Sequence, residues 1–264
     1  MGIVTGAALL AGLAIAAAAL VGTASGKGGR SALPPGAVQV AEGTYYLGKK
    51  LVGGVEVEGY AFIHRKQAAQ GAGPGKGKPG GSCYSLLASG AKWKVAESWQ
   101  VDPSAAPSVV GSQMASEMTA DVGAWESAAG ADIFGTGAID QSYDAVVSTV
   151  DGRNGAEFAA ISDPGVIAVT YTWGRFGGPA KFRELVEWDM MFDSQDFTWS
   201  TSTPADPSSM DFRNIDTHEL GHAMGLGHPA STCTEETMYA FASEGETKKR
   251  DLNPGDVAGI NALY

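Results

Sequence analysis

The chain carries four histidines, and all except His64 fall in one short run: His218-Glu219-Leu220-Gly221-His222-Ala223-Met224-Gly225-Leu226-Gly227-His228. Residues four apart lie one turn above the other on the same face of a helix, so His218 and His222 can aim two imidazoles at one metal ion. Glu219 projects beside that ion rather than onto it, where a carboxylate can hold a water and take its proton. A third ligand on the same helix would drift off the metal-facing side. Gly225 answers that problem, because glycine adopts the left-handed conformation that ends a helix and turns the chain. His228 then reaches the ion from a second direction. Three neutral nitrogens and an open fourth position describe a catalytic zinc site rather than a closed structural one.

The elements that must hold these residues are legible around them. Asp211 is placed to cap a helix whose apolar positions, Phe212, Ile215, Leu220 and Met224, can face a core. Near the end of the chain, Asn253 followed by Pro254 reads as a helix start, with Val257, Ile260 and Leu263 as the buried stripe. Upstream, Val186, Trp188, Met190 and Phe192 alternate with Glu187, Asp189, Met191 and Asp193, the pattern of a half-buried strand. A helix is expected over 107–128, with Val110, Met114, Met118, Val122 and Trp125 on one side. Strands are expected at 92–95, 145–150, 157–161 and 166–173.

The extended motif resembles the metzincin zinc endopeptidases, and within them the matrixin (matrix-metalloproteinase-like) family. Thr237-Met238-Tyr239-Ala240 resembles their methionine turn, and the closing Gly259-Ile260-Asn261-Ala262-Leu263-Tyr264 resembles the end of their last helix. The resemblance covers residues 83–264. It implies an α+β, metzincin-type zincin fold, with a mixed twisted sheet, an active-site helix and a C-terminal helix. It implies one catalytic zinc on His218, His222 and His228, Glu219 as general base, and Met238 as an apolar floor. The implied activity is hydrolysis of peptide bonds in a protein or peptide substrate. By the same resemblance the strand at 186–193 would be the edge that pairs with an extended substrate, and Tyr239-Ala240-Phe241-Ala242 would wall the pocket for one substrate side chain. Asp189, Asp193 and Asp196 would be candidates for calcium, against the plainer reading of solvated carboxylates. A reading from another class is a surface adhesion or binding module that keeps the metzincin shell without turnover.

Several features depart from the family pattern. With only His64 outside the motif, a second zinc site bound by additional histidines cannot be built, and His64 reads as a strand residue. No cysteine sits in a Pro-Arg-Cys-Gly context. Where the family has two adjacent acidic residues before the last helix, this chain has Gly255-Asp256.

Acidic residues outnumber basic ones 29 to 18, a formal charge of −11 that argues against a nucleic-acid partner. The triplet Lys248-Lys249-Arg250 reads as a solvated turn. Residues 3–22 are almost uninterruptedly apolar or glycine, followed by Thr23-Ala24-Ser25, so residues 1–25 are either a cleaved secretory signal or a retained anchor. Either places the rest of the chain outside the cytoplasm, secreted or at the cell surface, with membrane contact only if the segment is retained. In such a compartment Cys83 and Cys233 are expected to form a disulfide; the rival is a Cys83 thiolate plugging the zinc. Residues 26–82 are an extension of short β-like runs and Gly/Pro-rich linkers, too small to bury a core alone. They must pack on the main domain, stay loosely ordered or serve as a pro-segment. Residues 83–264 form the catalytic domain, expected to be a monomer.

Overall fold

The computed structural model describes residues 29–67, 82–146 and 149–264. The leader or anchor expected at 1–25 and the Gly-rich linker at 70–81 lie outside the described residues. No helix among the described residues is long and apolar enough to cross a membrane.

One mixed sheet organises the protein. Its strands are β1 (Val38–Ala41), β2 (Thr44–Val52), β3 (Val55–Lys66), β4 (Glu97–Asp102), β5 (Phe134–Ile139), β6 (Gly155–Ala159), β7 (Val166–Arg175), β8 (Glu184–Asp193) and β9 (Phe241–Ala242). The order across the sheet is β1-β2-β3-β7-β8-β6-β4-β5, with β9 beside β3. β4, β5, β6 and β8 run parallel to one another, while β7 is antiparallel to β8 on one side and to β3 on the other. Helices α2 (Met114–Ala129) and α3 (Phe212–Ala223) pack together, and α4 (Pro254–Asn261) packs on α2. The large core joins these helices to the sheet through Trp99, Trp125, Trp188, Phe192 and Phe212, while a second cluster, including Ala61, Ile63, Tyr171 and Met191, packs elsewhere on the sheet.

Four sequence expectations are corrected. The strand at 184–193 is no edge: β8 lies between β7 and β6, and Glu187, Asp189 and Asp193 are as buried as Trp188. The alternation suggested a wet face because charged residues usually mark one. Here their partners are internal, with Glu187 accepting from the amides of Asp151 and Gly152, and Asp189 accepting from the Tyr143 hydroxyl at 2.6 Å. The helix expected over 107–128 is broken: a short α1 (Ser108–Gly111) precedes α2, though Val110, Met114, Met118, Val122 and Trp125 are all buried as expected. Residues 92–95 make only an isolated bridge from Lys92 to Glu184, and the strand begins at Glu97. Residues 145–146 and 149–150 are not strand, while β5 was missed.

The N-terminal extension packs on the main domain rather than beside it. β3 is threaded between β2 and β7, and Arg30 reaches Glu157 at 2.7 Å. Cys83 and Cys233 are joined, with Cα atoms 5.6 Å apart, across a sequence separation of 150. Because both sulfurs are consumed, the thiolate plug is ruled out. The carbonyl of Cys83 also explains Gly255: a Cβ there would lie 2.2 Å from that oxygen and 2.7 Å from the Glu236 carboxyl carbon. Closing so long a loop restricts the unfolded chain, so replacing both cysteines with serine should lower unfolding stability by as much as about 5 kcal/mol. Chemical denaturation of the two forms measures this, and equal midpoints would refute it.

Candidate metal centre

The zinc helix forms where the sequence asks for it. Asp211 caps α3 by accepting from the Asn214 amide at 2.9 Å, and Phe212, Ile215 and Leu220 are fully buried. The helix stops at Ala223, and Gly225 has φ +102, the left-handed conformation that turns the chain toward His228. A Cβ at Gly221 would fall 2.2 Å from the Met238 sulfur, so α3 lies directly on that methionine. Met238 is in turn fixed to α4: Asp256 accepts from the amides of Thr237 and Met238 at 2.7 and 3.1 Å.

The three imidazoles converge. Nε2 of His222 is 3.1 Å from Nε2 of both His218 and His228, and the remaining pair is 3.3 Å apart. Each Nδ1 faces a backbone carbonyl: Thr237 at 2.6 Å for His218, Leu226 at 2.9 Å for His222, and Glu42 at 2.9 Å for His228. Nδ1 must therefore be the protonated nitrogen in all three, which leaves three Nε2 lone pairs facing one another. Lone pairs do not pack that way without a cation between them. Tetrahedral zinc with Zn–N bonds of ~2.05 Å separates its nitrogens by ~3.3 Å, so this donor set fits zinc. Burial keeps all three rings neutral, driving His218 and His222 well below the usual imidazole range and His228 down to about 4.

Glu219 stands beside this cluster. Its Oε2 accepts from the Thr170 hydroxyl at 2.7 Å, and Oε1 faces Nδ1 of His64 at 3.1 Å. Burial raises its pKa to about 8, opposed by the Thr170 hydrogen bond and the nearby Lys249 charge. His64 is a strand residue, as expected, but one that abuts the site: its ring stacks on His218 with centroids 3.8 Å apart. Its Nε2 receives a hydrogen bond from Lys249 Nζ at 2.9 Å. Lys249 is not part of a solvated turn. It is fully buried, also donates to the Tyr239 carbonyl, and burial pulls its pKa down to about 7.

His64, Thr170 and Lys249 escaped the motif-based reading. A histidine ending the apolar run Tyr60-Ala61-Phe62-Ile63 was the one available signal; nothing in a Lys-Lys-Arg triplet announces a buried lysine. Among the described residues, the groupings able to hold a metal are the three-histidine cluster and His64 with His218 and Glu219. Neither contains Asp189, Asp193 or Asp196, so the structure gives the calcium expectation no support. Asp193 instead ties a turn, accepting from the amides of Ile161, Gln195 and Asp196.

Asp216, two residues before the first histidine, is fully buried beside the Asp121 carboxyl, and among the described residues no donor reaches either of its oxygens. Burial, then the charge of Asp121, raises its pKa well above the carboxylate range. An acid whose folded pKa exceeds its unfolded one stabilises fully below the unfolded value and loses that contribution as pH rises through the folded value. As pH rises above the ordinary carboxylate range, Tm should therefore fall less for Asp216→Asn than for the unaltered chain. A steeper fall in the variant would contradict this.

Known proteins are similar to this chain in sequence. The family model described as Matrixin matches residues 92–264. Matrix metalloproteinase-19 of Homo sapiens is 33% identical over 98 residues, covering 36% of this chain and 18% of that protein. Matrilysin of Rattus norvegicus is 36% identical over 76 residues, covering 29% and 26%, and metalloendoproteinase 4-MMP of Arabidopsis thaliana is 36% identical over 69, covering 25% and 19%. The aligned stretches thus span about a quarter or less of these relatives' lengths. The methionine held beneath α3, the imidazole trio and the family match over most of the described domain lead to one conclusion: this chain belongs to the matrixin family.

Proposed function

We propose that the protein is an exported zinc-dependent endopeptidase. The observation that carries this reading is the set of Nε2 lone pairs 3.1 to 3.3 Å apart with a buried carboxylate alongside. A zinc ion on His218, His222 and His228 would supply Lewis acidity to the attacking water and to the scissile carbonyl. The chain's own part is proton handling. Glu219 takes the proton of the attacking water and delivers it to the leaving amine, a task for which its place beside the imidazoles suits it. Thr170 holds one carboxylate oxygen, and the other, which faces His64 Nδ1 in the folded chain, is the one that would work on the water. The Nδ1 hydrogen bonds lock each imidazole in the tautomer that presents Nε2. Met238 supplies the apolar floor. Residues 83–264 are the catalytic unit, and an extracytoplasmic location agrees with the disulfide.

Elemental analysis paired with cleavage of casein and a peptide library tests the reading. One zinc per chain with metal-dependent cleavage is expected. Bound zinc without cleavage, in a full chain carrying Gly59→Val to loosen β3, would favour the adhesion module instead.

A further inference from the structure

Within the stretch matched by the family, residues 92–264, the sheet runs β5-β4-β6-β8-β7, and β7 is its last strand. That edge, beside the imidazoles, is where an extended peptide would add. It is already taken. β3 pairs antiparallel with β7 from Glu58 to Arg65. On its other side β3 runs parallel to β9: the Arg65 amide donates to the Ala240 carbonyl at 3.3 Å, and the Gln67 amide to Ala242 at 2.8 Å. A segment from outside the family's stretch therefore lies in the slot between the sheet edge and the 239–242 wall.

Its side chains cover most of the cluster, with His228 left partly exposed. Phe62 stacks on His222 with ring centroids 4.1 Å apart and meets His228 edge-on at 6.1 Å. The preceding turn presses Gly43 so close that a Cβ there would sit 2.8 Å from the His228 ring. His64 lies between Glu219 and Lys249, and Lys249 also donates to the Tyr239 carbonyl. His218, His222 and Glu219 consequently have no exposed surface. Hydrogen bonds at both ends fix the His64 tautomer: Nδ1–H donates to Glu219, and Nε2 accepts from Lys249.

Building on the peptidase reading above, we propose that residues 58–66 occupy the substrate cleft as an intramolecular strand ligand. Lys249, at the end of the pocket His64 fills, then selects substrates whose inserted side chain ends in a hydrogen-bond acceptor. With an aliphatic side chain in this pocket the buried amine would keep only the Tyr239 carbonyl and lose the acceptor His64 provides, a penalty that an imidazole or carboxamide avoids. The strand must leave before a peptide from another chain can bind, and the protein as folded is a self-blocked form.

Gly59 gives a way to loosen the strand without touching the cluster, because a Cβ there would lie 2.5 Å from the Trp173 ring. The test uses the full chain carrying Gly59→Val, with His64→Ala as a second variant should the first fail to fold. Amide exchange of β7 reports whether the cleft is open. A fluorescent peptide of residues 55–66, with and without the change His64→Leu, is titrated into zinc-loaded and zinc-free protein. The expected result is binding to the opened variant and not to the unaltered chain, at least tenfold weaker for the leucine peptide. Lys249→Met in the opened background should remove that difference. In parallel, kcat/KM for library peptides should rise at least tenfold on opening, with His or Gln preferred over Leu at the inserted position. Exchange showing an open cleft while neither peptide binds, or equal binding of both, would overturn the proposal. Binding as expected but no hydrolysis by any zinc-loaded variant would leave the strand assignment standing and remove the peptidase reading.

Discussion

Glu219→Gln in the opened, zinc-loaded chain lowers kcat/KM for a cleavable peptide by roughly 10²–10⁴-fold, the range expected when a positioned general base is lost. The substitution keeps the size of the side chain and its ability to meet Thr170, so fold and zinc content should not change. What it removes is the proton acceptor. The surroundings make Glu219 suited to that role. Full burial in the folded chain pushes its proton affinity upward, and the Thr170 hydroxyl on Oε2 opposes that shift and holds the carboxylate in place. Parallel measurement of bound zinc and of turnover separates chemistry from metal loss. Turnover unchanged in a variant that retains its zinc would eliminate Glu219 as the base.

The second large effect concerns the metal itself. His222 is the middle ligand, with its Nε2 3.1 Å from both partners, and its Nδ1 tied to the Leu226 carbonyl at 2.9 Å. His222→Ala should reduce zinc to trace levels and activity to background. It should also abolish the rise in Tm that zinc gives the unaltered chain. A ligand that binds only the folded state at about a thousandfold above its Kd adds about 4 kcal/mol, so the lost shift is easily read by calorimetry. The variant's folded state should survive, because the aromatic core around Trp125, Phe192 and Phe212 does not depend on the metal. Stoichiometric zinc in His222→Ala would mean that the ion sits elsewhere, the other grouping among the described residues being His64, His218 and Glu219.

Both expectations, and the strand ligand, meet at β3. The same imidazole that stacks on His218 also contacts the base and the buried lysine. The turn at Glu42 provides the carbonyl for His228 Nδ1. Departure of the segment therefore changes the surroundings of ligand and base together. Zinc affinity and turnover should be followed side by side in the opened variants.

The sequence by itself determined the site's inner shell. The four-residue spacing of His218 and His222, the helix-ending Gly225 and the cap at Asp211 are consequences of local geometry, while the place of Met238 was implied by the family resemblance. Helical periodicity and glycine's conformational freedom act over a few residues, so such features can be read along the chain. The disulfide followed from an even cysteine count. What only the tertiary structure decided is long-range. Strand order is set by which edges pair, and no period of two distinguishes an edge strand from a central one whose charged residues find internal partners. That is why β8 proved interior, and why Glu187 and Asp189 proved buried. The position of β3 depends on pairing with β7, more than a hundred residues away in sequence. Lys249 lies in a triplet that reads as solvent-facing. Its burial arises only because His64 and the Tyr239 carbonyl, from two other segments, converge to accept its hydrogen bonds.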